Sequence, residues 1–289
     1  MPTTIMEAVA NAARRLEAVG IDTARLDASV LMRHVIGFDK VQFLVRRRER
    51  LPDEAAARYE ALIELRLARI SVAYLTGERE FLGLSFAVGP GTLVPRPETE
   101  LLVEWAARWL RGRSHCLAVD VGTGSGAIAI GLTRLAPPGS LRGVIGVDPS
   151  LDALSWANRN RLMIAPGVPV GLVRGHLMSA IAGPVDLVLA NLPYLTPEQT
   201  DENPDLAAEP RSALVSGADG LDLIRELIRD LPRVLAEDSA AILELDPSQA
   251  EIVAALSRET FPEAVVTIVD DLAGLARFVT IVRREHEGE

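Results

Sequence analysis

Residues 116–126 read CLAVDVGTGSG, an apolar run that passes directly into three glycines at alternate positions. The run Cys116–Val121 is typical of a buried strand, and the stretch Ala127–Leu135 behind the glycines has the pattern of a helix. Glycines at such a junction let the backbone approach a ligand closely, and the first helical turn offers N–H groups without helical partners. The stretch therefore predicts a strand, a ligand-binding loop and a helix in succession.

Two acidic residues favour a nucleoside ligand for this loop. Asp120 precedes the glycines, and Asp148 ends the next apolar run, where a carboxylate can accept both hydroxyls of a ribose. Alternate glycines differ from the wider dinucleotide spacing, which seats a pyrophosphate, and this favours S-adenosylmethionine over NAD. A tight turn without a ligand is the alternative, and the paired acid argues against it. The predicted cofactor-binding residues here are Gly122, Thr123, Gly124, Ser125, Gly126 and Asp148.

The sequence around the loop alternates between short apolar runs and helical patterns. This alternation is typical of an α/β fold with a mostly parallel sheet covered on both faces. The other runs that we interpret as strands lie at 143–147, 185–190, 240–245, 265–269 and 277–282, and a helix is expected over 98–110.

Asn191, Leu192, Pro193 and Tyr194 follow the run at 185–190, and we refer to them as the NLPY tetrad. In this topology the tetrad lies at the carboxyl end of a strand beside the glycine-loop strand, where open α/β sheets bind ligands. The Asn191 side-chain oxygen and a backbone carbonyl can accept the two hydrogens of an amide or aromatic amine, while Tyr194 packs on the planar group. The alternative, an ordinary loop turn, is weakened by the glycine loop upstream.

The first 75 residues differ from the rest of the chain. They have helical periodicity, and residues 81–94 then contain the glycine and proline punctuation of a hairpin. Segment 1–75 carries a formal charge of +2 and the remainder −12. The net negative charge of the whole chain disfavours a protein that coats nucleic acid without sequence preference. The arginines at 46, 47, 48 and 50 are interpreted as a solvated helix end, with an acidic partner or RNA as the alternative.

Several further features bear on location and metals. Cys116 is the single cysteine, and the histidines at 34, 115, 176 and 286 show no metal-ligand spacing, so we expect a reducing compartment and no metal. Met1 to Arg15 lack a secretory pattern, and no run approaches the roughly 18 apolar residues that span a bilayer. We expect a cytoplasmic protein that does not contact the membrane.

Four more segments carry a family resemblance: FLGL at 81–84, LVPRPETE at 93–100, EPR at 209–211 and GADGL at 217–221. With the glycine loop and the tetrad, they make nearly the whole chain resemble bacterial release factor glutamine methyltransferases, which are class I S-adenosylmethionine-dependent enzymes. The resemblance implies methyl transfer to the side-chain nitrogen (N5) of the glutamine in the Gly-Gly-Gln motif of peptide-chain release factors.

The resemblance also implies an organisation and roles for residues. We expect a small all-α domain at 1–75 that grips the release factor, a β-hairpin linker at 76–97, and at 98–289 a Rossmann-like methyltransferase domain with a mostly parallel seven-stranded sheet. Asn191 would contact both cofactor and glutamine, and His176 and Leu177 would lie at the adenine. The expected partner is a release factor, with no membrane or direct nucleic-acid contact, and the chain is expected to be a monomer.

The sequence departs from the family at three places. Leu192 replaces the first proline of the usual Asn-Pro-Pro-Tyr, which removes rigidity and adds an N–H. Gly175-His176 stands where the family has an acid that accepts from the adenine amino group, and Leu177 where an aromatic covers the ring. Residues 244–247 replace a glycine-rich turn. These departures leave two alternatives open: N6-adenine methylation of DNA or RNA, and a catalytically impaired paralogue that acts as a binding protein.

Overall fold

A computed structural model describes residues 3–167 and 169–284 of the chain. Its internal contacts divide the chain into a helical unit, Met1–Glu78 with Asn203–Ala208, and an α/β unit, Arg79–Glu202 with Glu209–Glu289. The predicted boundaries at 75 and 97 stay a prediction. His286 and the extreme ends of the predicted domains lie outside the described residues.

The helical unit is built on amphipathic helices. Ala12 and Leu16 of the first helix are buried among apolar residues of the second and fourth helices, as the spacing of its apolar residues predicts. Two of the helices are too short for periodicity to reveal them, and the sequence analysis missed both. The helices of the described residues are α1 (Ile5–Ala18), α2 (Ala24–Ile36), α3 (Lys40–Arg46), α4 (Asp53–Leu67) and α5 (Val72–Thr76).

A buried ion pair joins three parts of the helical unit. Arg66 of α4 donates from Nε to Oδ2 of Asp27 in α2 at 2.8 Å, and its Nη1 donates to Oδ1 of Asp205 at 3.1 Å. Asp205 belongs to Asn203–Ala208, the segment of this unit that is remote in sequence. Since a buried guanidinium needs charged partners, the ion pair holds this segment within the unit.

A two-stranded hairpin precedes a seven-stranded sheet. The hairpin consists of β1 (Glu78–Phe81) and β2 (Leu84–Ala87). It confirms that a hairpin precedes the sheet, but it starts and ends earlier than the predicted 81–94. The sheet order is β5-β4-β3-β6-β7-β9-β8, in which β9 is antiparallel to both of its neighbours and the other pairs are parallel. The mostly parallel α/β fold is therefore confirmed. The sheet strands are β3 (Cys116–Val121), β4 (Leu141–Asp148), β5 (Val170–Arg174), β6 (Val185–Asn191), β7 (Leu235–Glu244), β8 (Val265–Asp270) and β9 (Ala276–Arg283).

The edge strand β5 is the one described sheet strand that the sequence analysis did not include. It has only five residues and contains Gly171, which weakens a strand pattern. Alternate residues of β3 enter the two cores, with Val119 and Val121 on one face and Cys116 and Ala118 on the other. Both faces are therefore covered. The covering helices are α6 (Thr99–Trp109), α7 (Ala127–Leu135), α8 (Leu151–Ile164), α10 (Asp222–Val234) and α11 (Ala250–Thr260), and the short helix α9 (Pro197–Glu202) follows β6 along the chain.

No helix within 3–167 and 169–284 combines the length and the apolar character that crossing a membrane requires.

Candidate active site

The glycine loop connects β3 to α7 and is tied down by a buried acid. Asp120 accepts through Oδ2 from the Thr123 hydroxyl at 2.6 Å and from the Ala129 N–H at 3.1 Å. Complete burial raises the pKa of this carboxyl to about 7, although both hydrogen bonds oppose the shift. Gly122, at φ +75°, starts the loop in a backbone conformation that glycine adopts without strain. The strand end, the loop and the helix start are thus one connected structure.

Asp148 ends β4 and faces the same loop. Its Oδ2 accepts from the Gly124 N–H at 3.0 Å, and its Oδ1 accepts from the Ser150 N–H at 2.8 Å. Burial raises the pKa of this carboxyl, and the two backbone hydrogen bonds lower it. An ionised carboxylate has about four acceptor positions, so capacity remains for ligand hydroxyls.

A cavity of about 270 Å³ lies at this edge of the sheet, within the α/β unit. Its wall contains residues from the carboxyl ends of β3, β4 and β6, which the sheet order places side by side. The structure thereby brings together most of the residues singled out in the sequence. Those in the wall are Gly122, Gly124, Asp148, His176, Leu177, Asn191, Leu192 and Pro193.

The remaining predicted residues of the glycine loop support the cavity from behind. Thr123 bonds Asp120, and the Ser125 carbonyl accepts from Nδ2 of Asn160 at 2.9 Å. A Cβ at Gly126 would lie 3.2 Å from that of Ala157, so a side chain here would push α8 away. These residues hold the shape of the loop, and their direct contact with a cofactor stays a prediction.

Tyr194, the last residue of the tetrad, is half-buried outside the cavity wall. Its carbonyl accepts from Nε2 of Gln249 at 2.9 Å. Burial raises the pKa of its phenol to about 12, and the nearby Glu244 carboxylate adds to the shift. The tyrosine is therefore neutral at physiological pH, and its packing on a substrate stays a prediction.

His176 and Leu177 occupy the far end of the wall. Nε2 of His176 lies 2.9 Å from Oε1 of Glu226 in α10, and both side chains are about half exposed. Leu177 is buried, with a φ of +45°. The histidine ring is thus engaged with Glu226, and its predicted contact with adenine stays a prediction.

Asn191 is the last residue of β6, and its side chain has a fixed partner. Its Nδ2 donates to the hydroxyl oxygen of Thr99 at 3.0 Å. Thr99 is buried and is the first residue of α6. With the nitrogen engaged by Thr99, the side-chain oxygen is the group left to face a ligand.

Sequence reasoning singled out LVPRPETE and EPR as motifs but did not pair them. The buried carboxylate of Glu209 accepts from Nη2 of Arg96 at 2.6 Å and from the N–H of Val94 at 3.1 Å. Residues 91–93, which precede Val94, and Pro210 and Ser212, which follow Glu209, all line the cavity. A single sequence does not show which charged residues pair over such a distance. The available signal was an arginine in one motif and a glutamate in the other.

Glu244 was noted only as part of an altered turn. It ends β7 directly beside Asn191 in the sheet register and is buried. Burial raises the pKa of its carboxyl to about 7, against the opposing effects of a hydrogen bond with Thr99 and the charges of Arg277 and Arg96. Its Oε2 has no hydrogen-bond partner in the described structure. A charged residue that ends an otherwise apolar run was the available signal.

Comparison with known proteins gives matches along the chain. The family model for the PrmC N-terminal domain matches residues 7–77. A release factor glutamine methyltransferase from Deinococcus radiodurans is 37% identical over 276 residues, which are 95% of this chain and 97% of that protein. The protein of the same name from Corynebacterium glutamicum is 33% identical, covering 96% of this chain and 98% of its own.

A solved structure supports the fold. The T. thermophilus 16S rRNA N2 G1207 methyltransferase, in complex with AdoMet and guanosine, superposes with a TM-score of 0.52 at 17% identity. The match covers 72% of this chain and 50% of the other. At this identity the likeness concerns the fold alone, and it confirms the Rossmann-like methyltransferase architecture. The family rests on the relatives, which match at more than 30% identity over nearly the full length and confirm the resemblance: the chain belongs to the release factor glutamine methyltransferase family.

Proposed function

We propose that this protein transfers a methyl group from S-adenosylmethionine to the N5 side-chain nitrogen of the glutamine in the Gly-Gly-Gln motif of peptide-chain release factors. One observation carries the proposal beyond family membership. Asn191, with its oxygen left for a ligand, shares one cavity with the glycine loop and Asp148. An acceptor for an amide and a cradle for a nucleoside are thus within reach of each other.

The donor set of the cavity fits S-adenosylmethionine. Asp148 retains acceptor positions for the two ribose hydroxyls, and Gly122 and Gly124 bring bare backbone to the wall. Leu177 and Val147 add apolar surface suited to an adenine ring. When bound, this cofactor supplies an electrophilic methyl group on a sulfonium.

The residues of the tetrad would act on the substrate amide. An amide nitrogen is a poor nucleophile because its lone pair is delocalised into the carbonyl. The Asn191 side-chain oxygen and the Leu192 carbonyl would accept its two hydrogens, which orients the nitrogen and favours charge build-up on it. Tyr194 would pack on the planar group. The contribution of the protein is thus orientation and fixed acceptors, without a strong base.

The helical unit is the proposed site of release-factor binding. Segment 1–75 is slightly basic, whereas the rest of the chain is strongly acidic. The acidic charge around the candidate site argues against direct contact with nucleic acid, because it would repel the phosphates. We also propose that one copy of the chain suffices, since the cavity wall comes from a single unit, and that the reaction takes place in the cytoplasm, where release factors act.

Purified protein, labelled S-adenosylmethionine and an unmethylated release factor test the proposal directly. We expect the label on the glutamine of the Gly-Gly-Gln peptide, identified by peptide mass, and no label on a release factor that carries Gly-Gly-Ala. An adenine-containing DNA or RNA oligonucleotide in a parallel reaction tests the first alternative. Cofactor binding without any label on the release factor would instead support a binding protein.

A further inference from the structure

Three residues from three different elements are neighbours in space at the candidate substrate site. Asn191 ends β6, Thr99 starts α6, and Glu244 ends β7 beside Asn191. The Asn191 amide donates to the Thr99 hydroxyl oxygen at 3.0 Å. The Glu244 carboxyl neighbours the same hydroxyl, and hydrogen bonding with Thr99 lowers the pKa of this carboxyl. Thr99 and Glu244 are both buried, so water does not compete for these bonds.

The direction of these bonds follows from the chemistry of the groups. An ionised carboxylate can only accept, so the single hydroxyl proton of Thr99 must point to Glu244. The hydroxyl oxygen is then an acceptor towards Asn191, which requires the NH₂ end of the amide to face it. The two ends of an asparagine amide have nearly the same shape, and only such partners decide which end faces where. The carbonyl end is therefore left for the cavity.

Protonation of Glu244 would release this constraint. A neutral carboxyl can itself donate to Thr99, whose proton is then free to point at the Asn191 oxygen and turn the amide over. The charged and titratable groups that face Glu244 are Arg277 on β9, Arg96 and Glu98 ahead of α6, and Tyr194 after β6. The two arginines favour the ionised form, and Glu98 and burial oppose it.

We propose that Glu244 is a positioning residue for methyl transfer, which acts through the Thr99 hydroxyl to hold the Asn191 carbonyl oxygen towards the substrate amide. The inference rests on the proposed function, because it assigns Asn191 the task of accepting a hydrogen from glutamine. Neither Glu244 nor Thr99 belongs to the cavity wall, whereas Asn191 does, so Asn191 is the residue through which they would act on the substrate.

Thr99→Val and Thr99→Ser form a matched pair for the test. Valine keeps the shape of threonine and removes the hydroxyl, whereas serine keeps the hydroxyl and removes a methyl group. We expect kcat for the release factor to fall about tenfold in Thr99→Val and by less than about twofold in Thr99→Ser, the loss that one hydrogen bond produces. Calorimetry with S-adenosylhomocysteine should give similar affinities for both variants and the wild type.

Glu244→Gln separates a positioning role from a purely structural one. In the wild type, kcat at saturating cofactor should rise with pH through a limb near 7, as Glu244 ionises. Glutamine can present either end of its amide to Thr99, so we expect a several-fold lower kcat and no such limb. A structural role alone would lower the melting temperature and leave the limb in place.

The side-chain signals of Asn191 provide a readout without turnover. In ¹⁵N-labelled protein, the NH₂ resonances of Asn191 should shift with pH as Glu244 titrates and should not do so in Glu244→Gln. Equal kcat in Thr99→Val and Thr99→Ser, or a limb that survives in Glu244→Gln, overturns the inference while the proposed function stands. A wild-type protein that fails to methylate release factor overturns both.

Discussion

The carboxyl edge of the sheet has two halves that use different chemistry. At β3 and β4, Asp148 accepts from the backbone N–H groups of Gly124 and Ser150, and these two contacts span 24 and 2 residues of the chain. At β6 and β7, Asn191 and Glu244 depend on a side chain from α6. The cofactor half is thus specified locally and the substrate half by residues that are distant in sequence. Substitutions in the cofactor half should therefore weaken cofactor binding, and substitutions in the substrate half should lower kcat.

The most severe test of this division is Asn191→Ala. We expect methyl transfer to fall by about 100-fold or more, because the fixed acceptor for the substrate amide is lost, while cofactor affinity changes by less than about twofold. Single-turnover assays and calorimetry measure the two quantities. Asn158→Ala, an exposed position on α8, is the control and should change neither. A parallel loss of both quantities in Asn191→Ala would place Asn191 in the cofactor half.

The pH dependence of stability should distinguish the halves next. Burial raises the folded-state pKa of Glu244 from 4.5 to about 7. The stabilising contribution of its protonated form is complete below about 4.5 and is lost as the pH rises through about 7. Urea unfolding between pH 5 and pH 8 should show this loss, and Glu244→Gln should remove up to roughly 3 kcal/mol of it. An unchanged slope in Glu244→Gln would contradict the assignment. Burial also raises the pKa of Asp120 to about 7, so part of the slope should remain in Glu244→Gln.

Asp148→Asn should act on the cofactor half alone. An asparagine cannot accept from both Gly124 and Ser150 as the carboxylate does, and it has fewer acceptor positions for ribose hydroxyls. We expect cofactor affinity to weaken by about 30-fold, with kcat at saturating cofactor within about threefold of the wild type. The exposed Glu251→Gln is a charge-matched control. A selective loss of kcat would break the division.

Gly122→Ala should affect both halves, because the two meet at this residue. An added Cβ would lie 3.1 Å from Cδ2 of Leu192 in the tetrad, and φ is +75°. We expect about fivefold losses in both affinity and kcat. Gly112→Ala has a similar φ of +79° with open space around it, so it reports backbone strain without the contact. Equal effects of Gly122→Ala and Gly112→Ala on stability, with no kinetic loss in either, would show that the halves are independent there.

The difference between the cofactor half and the substrate half also explains which features could be predicted from the sequence. The strand, loop and helix around Gly122, and the position of Asp148, follow from local pattern, and the structure has β3 and α7 at the predicted bounds. The partnerships of Thr99 with Asn191 and of Glu209 with Arg96 join residues about a hundred positions apart, and no local propensity encodes them. Short elements such as α3, α5 and β5 were missed because they hold too few residues to show a period.

The segment Asn203–Ala208 has a consequence for how this protein can be divided. The chain passes between the units at Glu78–Arg79, Glu202–Asn203 and Ala208–Glu209, so a single cut in the gene does not separate them. A truncated protein that begins at Arg79 would keep Asp205 and lose Arg66 and Arg69, its ion-pair partners within the helical unit. A division of the protein into its two units therefore has to keep residues 203–208 with the helical part.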